Sequence, residues 1–162
     1  LYWTLFLFTN LGSFTMLWIH RQKTKHGFSS DDQFEKFSGL IKTSPISALI
    51  FGLFMLSLAG VPPFALFWGK MFLLSTAVNA GYVVLATILA INSAIAAYYY
   101  LKLIVFMFMK EPVNDDRIVY MGNLNPYLKT VVGISAILTG ISVFMVDSLI
   151  SVISYYVQIS GY

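Results

Sequence analysis

Long apolar stretches alternate with short polar connections along the 162 residues of the chain. A helix needs about 20 apolar residues to cross a hydrocarbon core of roughly 30 Å. Four stretches meet this requirement, at residues 1–19, 46–80, 82–109 and 127–146. The pattern therefore predicts an all-α integral membrane protein with four transmembrane segments that form a single membrane domain over residues 1–162.

The two long polar connections, residues 21–45 and 110–126, lie on the same side of the membrane if the spans alternate in direction. They hold most of the lysines and arginines, whereas the turn at 79–81 and the segment 148–162 hold none. Because cytoplasmic loops carry the basic excess in membrane proteins, we expect both connections to be cytoplasmic and both chain ends to be periplasmic.

The first connection contains a second periodic pattern. The residues from Ser30 to Gln33 have the spacing of a capping box. Apolar residues then recur at three- and four-residue steps, at Phe34, Phe37 and Leu40. This spacing predicts a short amphipathic helix near 31–43 that lies on the membrane surface.

Composition excludes several classes of protein. Hydrophobic residues make up 58% of the chain and charged residues 10%, whereas soluble domains have about 45–50% and about 25%. A soluble enzyme, a disordered chain and a disulfide scaffold are therefore excluded. The chain has no cysteine, which removes thiol catalysis and iron–sulfur ligation. The net charge of +3 follows from the topology, so we expect a lipid bilayer and no nucleic acid as partner.

The second apolar stretch is too long for one span. As a continuous helix it would measure about 52 Å, and Gly60, Pro62 and Pro63 lie near its middle. The prolines lack N–H groups and leave the carbonyls of Leu58 and Ala59 without helical partners. We therefore predict two half-helices joined by irregular backbone, with the break at 60–63. Such a break marks ion sites in transporters, although a proline kink in a packing helix is the alternative.

Lys70 is the polar residue for which a purely structural role is hardest to justify from the sequence. It lies ten residues before Ala80, about 15 Å from the membrane face and close to the midplane. A lysine there costs roughly 3 kcal/mol or more, which favours an ion or proton pathway. The alternatives are a buried ion pair and a shifted span.

Four further polar residues belong to the predicted pathway. Asn92 and Ser93 are about as far after the turn at 79–81 as Lys70 is before it, so we expect them at the same depth as the lysine. Lys102 reaches the cytoplasmic interface, where it either lines the pathway or extends to the headgroups. The Ser57 hydroxyl is expected to join the free carbonyls of the break, which hold water or a lysine ammonium.

The run from Ser57 to Lys70, SLAGVPPFALFWGK, resembles the broken-helix signature of the antiporter-like membrane subunits of respiratory complex I. In that family each subunit has 14 transmembrane helices, so the resemblance implies that this chain is a C-terminal fragment holding helices 11 to 14. The channel lysine of the broken helix falls on Lys70. Matching runs support the resemblance: FTNLGSF at 8–14, FSGLI at 37–41 and NSAIAAYYYLK at 92–102.

The resemblance implies a proton-translocating subunit of the bacterial inner membrane, in which Lys70 relays protons while NADH reduces quinone elsewhere in the complex. It implies an enzyme subunit without a cofactor or metal of its own, because quinone, NADH, FMN and iron–sulfur clusters are expected in other subunits. Other membrane subunits of complex I are the expected partners. The alternatives are a subunit of a multisubunit cation/proton antiporter and a structural scaffold, in which Lys70 would be dispensable.

Overall fold

A computed structural model describes residues 2–20, 22–24, 34–112, 118–120, 125–144, 151 and 155, with the backbone alone at 22–24, 36 and 118–120. In this part of the chain the helices are α1 (Tyr2–Ile19), α2 (Leu40–Thr43), α3 (Pro45–Ala59), α4 (Ala65–Asn79), α5 (Val83–Met109) and α6 (Pro126–Phe144). A 3₁₀ turn covers Glu35–Phe37, and two three-residue strands are β1 (Gln22–Thr24) and β2 (Ile118–Tyr120).

The helices follow the predicted apolar stretches closely. α1, α5 and α6 each occupy one stretch, and α3 and α4 share the long second one. In the described residues, α5 and α6 are long and apolar enough to cross a membrane, and α3 is apolar but shorter. The helical membrane architecture is confirmed, whereas four complete spans remain a prediction. The end of the fourth stretch, 145–146, lies outside the described residues.

α3 is the centre of the structure. It packs against α1, α2, α4, α5 and α6. An apolar helix is expected to be buried, and most of α3 is: the side chains of Ala48, Phe51, Phe54, Met55 and Leu58 are buried, while Ile46 and Leu49 near its start are exposed. The end of α3 is thereby held in place by protein on several sides.

The predicted amphipathic helix near 31–43 is wrong over the residues that the structure describes. The 3₁₀ turn and α2 are separated by Gly39, whose φ of 66° is incompatible with a continuous helix. The Gly39 N–H donates to the Phe106 carbonyl at 3.1 Å, and Leu40 is buried in the core. The apolar periodicity of this segment therefore reflects packing on the protein. Residues 31–33 of the prediction lie outside the described part.

The two polar connections meet at one end of the bundle. β1 follows α1 and β2 follows α5, and the strands pair antiparallel with Lys23 opposite Val119. The pairing agrees with the predicted location of both connections on one side. These short strands add a small paired element to a chain that is mostly helical in its described residues, and strand signals of three residues are too weak to read from sequence.

Side-chain contacts strengthen this end. Lys42 Nζ donates to Glu111 Oε1 at 2.6 Å across the two connections, with both side chains exposed. Lys110 Nζ lies 3.8 Å from the centre of the Phe106 ring. At the end of α1, burial lowers the pKa of His20, against the weaker opposing effect of the Met16 carbonyl oxygen 3.2 Å from Nδ1. His20 is therefore neutral at pH 7 and adds nothing to the positive charge of the connections.

α1 and α6 pack together through small side chains. Their buried residues include Thr9 and Ser13 on α1 and Ser135 and Thr139 on α6, and small residues of this kind allow close approach of membrane helices. Thr9 Oγ1 and Thr139 Oγ1 are 3.2 Å apart and buried between the helices. Since the Thr9 hydroxyl donates to the Leu5 carbonyl at 2.9 Å, its single proton is used, and Thr139 donates to Thr9.

This hydrogen bond gives a first prediction. In a double-mutant cycle of Thr9→Val and Thr139→Val, we expect a coupling free energy of about 0.6 kcal/mol, the mean for such bonds in membranes. The measurement is SDS-induced unfolding of the full-length protein in mixed micelles. Thr87→Val is the control, because the Thr87 hydroxyl is exposed and bonds only its own helix at Val83. Additive effects of Thr9→Val and Thr139→Val would contradict the assignment.

α4 and α5 form the predicted antiparallel hairpin. The turn ends α4 with Gly81 at a φ of 82°; the Gly81 N–H donates to the Val78 carbonyl at 3.0 Å and the Tyr82 N–H to the Ala77 carbonyl at 2.8 Å. This is a Schellman motif, which requires a left-handed residue. Large apolar side chains cover the outside of the hairpin and are exposed in this chain, among them Trp68, Phe72, Val84, Ile88 and Ile95.

Candidate functional site

The C-terminal end of α3 closes in a second Schellman motif. Gly60 has φ 77° and ψ 47°, in the left-handed region. Its N–H donates to the Ser57 carbonyl at 3.0 Å, and the Val61 N–H donates to the Leu56 carbonyl at 3.2 Å. These two bonds satisfy two of the four carbonyls that a helix end leaves without partners.

The linker after this motif provides no further donors to the end of α3. Pro62 and Pro63 have no N–H, and the peptide bond between them is cis. Phe64 is extended, with φ −65° and ψ 142°, and α4 begins at Ala65. The predicted break at 60–63 is thus confirmed, with α4 starting two residues later than the prolines suggested. Among the residues that the structure describes, no backbone N–H donates to the carbonyls of Leu58 and Ala59.

Lys70 supplies the missing donor. Its Nζ donates to the Leu58 carbonyl at 3.0 Å and makes a longer contact with the Ala59 carbonyl at 3.5 Å. Lys70 lies in the second turn of α4, and its side chain reaches back across the linker to α3. Of the two ligands that the sequence allowed for these carbonyls, water and a lysine ammonium, the structure has the ammonium.

Two electrostatic effects act on the Lys70 ammonium in opposite directions. The C-terminal end of a helix carries a partial negative charge, which favours a cation there by about 0.3–1 kcal/mol and up to about 2 kcal/mol when partly buried. Desolvation, by contrast, disfavours the charged form of any amine. Lys70 is half-buried, whereas Leu58 and Ala59 are buried at 3% and 7% exposure. The carbonyls of the α3 end therefore favour the charged form of Lys70, and its partly buried, apolar setting opposes it.

Ser57 contributes differently from the expectation. Its side chain is buried at 1% exposure, but within the described residues its hydroxyl makes no hydrogen bond to Lys70. Its backbone carbonyl instead accepts the Gly60 N–H. Ser57 is therefore a component of the turn that frees the Leu58 and Ala59 carbonyls.

The pathway candidates on α5 do not contact Lys70 in the described structure. Asn92 is exposed and Ser93 is half-buried, near the middle of the helix, and a shared polar layer with Lys70 stays a prediction. Lys102 Nζ lies 5.1 Å from the centre of the Phe34 ring, in the first polar connection. This contact favours the interfacial interpretation of Lys102.

Gly60 is the residue whose role the sequence analysis missed. From the sequence, Gly60 was expected only to help interrupt the helix. A glycine directly after an apolar helix is, however, the usual signal of a left-handed C-terminal residue. A side-chain carbon added to Gly60 would lie 3.1 Å from Lys70 Nζ. The glycine thus borders the ammonium itself.

Comparison with known proteins identifies the family of the chain. The family model described as "NADH:quinone oxidoreductase/Mrp antiporter, TM" matches residues 1–96, which include the break and Lys70. The chain is 58% identical to the NADH-quinone oxidoreductase subunit N of Sulfurimonas denitrificans, over 100% of the chain and 33% of that protein. It is 53% identical to subunit N of a Sulfurovum species, over 99% and 32%, and 44% identical to subunit N of Helicobacter hepaticus, over 96% and 32%. The chain spans about a third of the length of the curated relatives it matches.

Proposed function

The chain belongs to the NADH:quinone oxidoreductase/Mrp antiporter membrane family, and from this membership we propose that it translocates protons as part of subunit N of respiratory complex I. The similarity to proteins named NADH-quinone oxidoreductase subunit N supports the assignment to an oxidoreductase subunit. The observation that carries the proton-translocating role is the hydrogen bond of Lys70 Nζ to the Leu58 carbonyl at the broken helix.

The proposed mechanism uses the three N–H groups of the Lys70 ammonium. Two of them are directed to the Leu58 and Ala59 carbonyls, and peptide carbonyls do not accept the proton itself. The third N–H is therefore the one that transfers a proton to a hydrated path. The neutral amine that remains has a lone pair, with which it takes a proton from the opposite side.

Switching between the two states requires a change in the electrostatic environment. The carbonyls stabilise the ammonium and desolvation stabilises the amine, so the arrival or departure of a neighbouring charge is enough to shift the balance. Electron transfer in other subunits, where quinone, NADH, FMN and iron–sulfur clusters reside, drives that charge movement. Ser57, Asn92, Ser93 and Lys102 remain candidates for lining the path.

The proposed setting is the bacterial inner membrane. The chain contributes four spans to the membrane domain, with Lys70 near the midplane and the paired connections on the cytoplasmic side, where their basic residues belong by the positive-inside rule. The exposed apolar side chains of the α4–α5 hairpin then face lipid or the other membrane subunits of complex I.

A subunit of a multisubunit cation/proton antiporter is the second candidate, because the matching family description names that class as well. The relatives that match 94% or more of this chain carry the name subunit N, which favours complex I. A lysine at a broken helix suits both functions, so the lysine alone does not separate them.

Affinity purification of the full-length protein from its native membrane distinguishes the two functions. If the complex I assignment is correct, the purified assembly contains FMN and iron–sulfur clusters and reduces quinone with NADH. An assembly of membrane subunits alone, which exchanges Na⁺ for protons in vesicles without NADH, would contradict the assignment and support the antiporter.

A further inference from the structure

We infer that Gly60 is a positioning residue for Lys70: the space left by its missing side chain, and the turn it permits, make the C-terminal end of α3 a docking site for the lysine ammonium. The inference deepens the proposed function, on which its consequence for proton transfer rests. The contact of Lys70 with the end of α3 does not depend on that function.

The Lys70 side chain fills the space beside Gly60 that a larger residue would occupy. A Cβ atom on Gly60 would lie 3.1 Å from Lys70 Nζ, 3.4 Å from Cδ and 3.6 Å from Cε. The approach to Nζ is closer than an ordinary van der Waals contact, so the ammonium would have to move by a few tenths of an ångström. That movement lengthens the bond to the Leu58 carbonyl, now 3.0 Å, and weakens the longer contact to Ala59 as well.

The left-handed backbone conformation of Gly60 also determines which carbonyls are free. The positive φ of Gly60 allows the Schellman motif, in which the Gly60 and Val61 N–H groups occupy the Ser57 and Leu56 carbonyls. The next two carbonyls along the chain, those of Leu58 and Ala59, are consequently the ones left for the lysine. The turn thereby selects which acceptors are available and points the helix end at the ammonium.

The chain contains a matched control for these two effects. Gly81 occupies the same position of the same motif at the end of α4, with a φ of 82° against 77° at Gly60. A Cβ atom on Gly81 would meet no atom of the described residues within 4 Å. Gly81→Ala therefore measures the conformational cost alone, and Gly60→Ala measures the same cost together with the contact to Lys70.

The experiment combines these variants in a double-mutant cycle. Gly60→Ala and Gly81→Ala are introduced into the full-length protein, with Lys70 intact and with Lys70→Ala, and the complexes are purified. Resistance to heat is measured as the temperature at which the complex loses NADH:quinone reductase activity. We expect Gly60→Ala to lower this temperature more than Gly81→Ala when Lys70 is present, and equally when Lys70 is alanine.

The rate of proton pumping is the functional measurement, made in sealed vesicles with Lys70 intact. Since a 1 Å misplacement in an active site costs about 100-fold in rate, a shift of a few tenths of an ångström predicts a fall of about four- to tenfold for Gly60→Ala. Gly81→Ala should pump like the parent. The pH profile of pumping should also change for Gly60→Ala alone, which a merely structural turn would not cause.

If the alanine variants do not assemble, Gly60→Asn and Gly81→Asn replace them, because asparagine tolerates the left-handed conformation yet carries a Cβ. Equal heat resistance and equal pumping of the Gly60 and Gly81 variants would overturn the inference. Normal pumping by Lys70→Ala would instead overturn the proposed function, while the heat-resistance cycle would still decide whether Gly60 positions the lysine.

Discussion

Replacement of Lys70 by alanine is expected to reduce proton pumping to background, while the complex still assembles and still reduces quinone when the membrane is uncoupled. The physical reason is that the amine is the group of this site that exchanges a proton. Assembly should persist because the Leu58 and Ala59 carbonyls lose only one shared donor, a loss of about 1–3 kcal/mol within a large complex. The measurement is NADH-driven acidification of sealed inverted vesicles.

Arginine at the same position separates charge from proton exchange. Lys70→Arg keeps a cation near the α3 end, but arginine does not deprotonate in proteins, so pumping should again fall to background. Lys110→Arg is the matched control, since Lys110 is exposed beside the Phe106 ring at the end of α5, and it should pump normally. Full pumping by Lys70→Arg would refute the idea that Lys70 loses its proton during turnover.

Replacement of Gly12 by alanine is expected to lower the amount of folded protein in the membrane. A side-chain carbon on Gly12 would overlap the ring of Phe54, which is at 0% exposure in the core and has no room to move. Overpacking of this kind costs about 1–3 kcal/mol, and it separates α1 from the central helix α3. The amount of the full-length protein in the membrane should fall, as measured by immunoblot together with quinone reductase activity.

Gly133→Ala provides the comparison for this effect. Both glycines lie inside helices, so both substitutions gain about 0.8–1 kcal/mol of helix propensity. A side-chain carbon on Gly133, however, would meet no described atom within 4 Å. The difference between the two variants isolates the contact with Phe54, and equal amounts of both proteins would mean that α1 does not pack on α3 in this way.

The sequence predicts features that depend on local chemistry. Helix lengths follow from apolar runs, and the break follows from two residues without N–H groups, Pro62 and Pro63, after a glycine. The turn between α4 and α5 follows from Gly81 in an uncharged tripeptide. Each of these signals is complete within a few residues, and the structure contains the corresponding element at the expected position.

Features that depend on distant partners were missed or misjudged. The segment near 31–43 has the periodicity of a surface helix, but Gly39 bonds to the carbonyl of Phe106 and its neighbours pack on the core. The pairing of β1 with β2 joins segments that are far apart in the sequence. No pattern within either segment encodes its partner, so sequence periodicity alone could not predict these contacts.

The candidate site was predictable from the sequence only in part. The free carbonyls of Leu58 and Ala59 were predictable, because they follow from the prolines. The contact of Lys70 with these carbonyls was not, because it depends on the path of the linker, which the left-handed turn at Gly60 sets. Whether Asn92 shares the depth of Lys70 depends on the packing of the hairpin and stays a prediction.

The contact between Lys70 and the end of α3 also bears on how the protein enters the membrane. The ammonium and its carbonyl acceptors all belong to residues 58–70, so the charge finds its partners within the segment that inserts. A lysine whose partners came from a different membrane span would cross the lipid uncompensated until that span arrived. We therefore expect residues 58–70 to enter the membrane with the charge of Lys70 already paired.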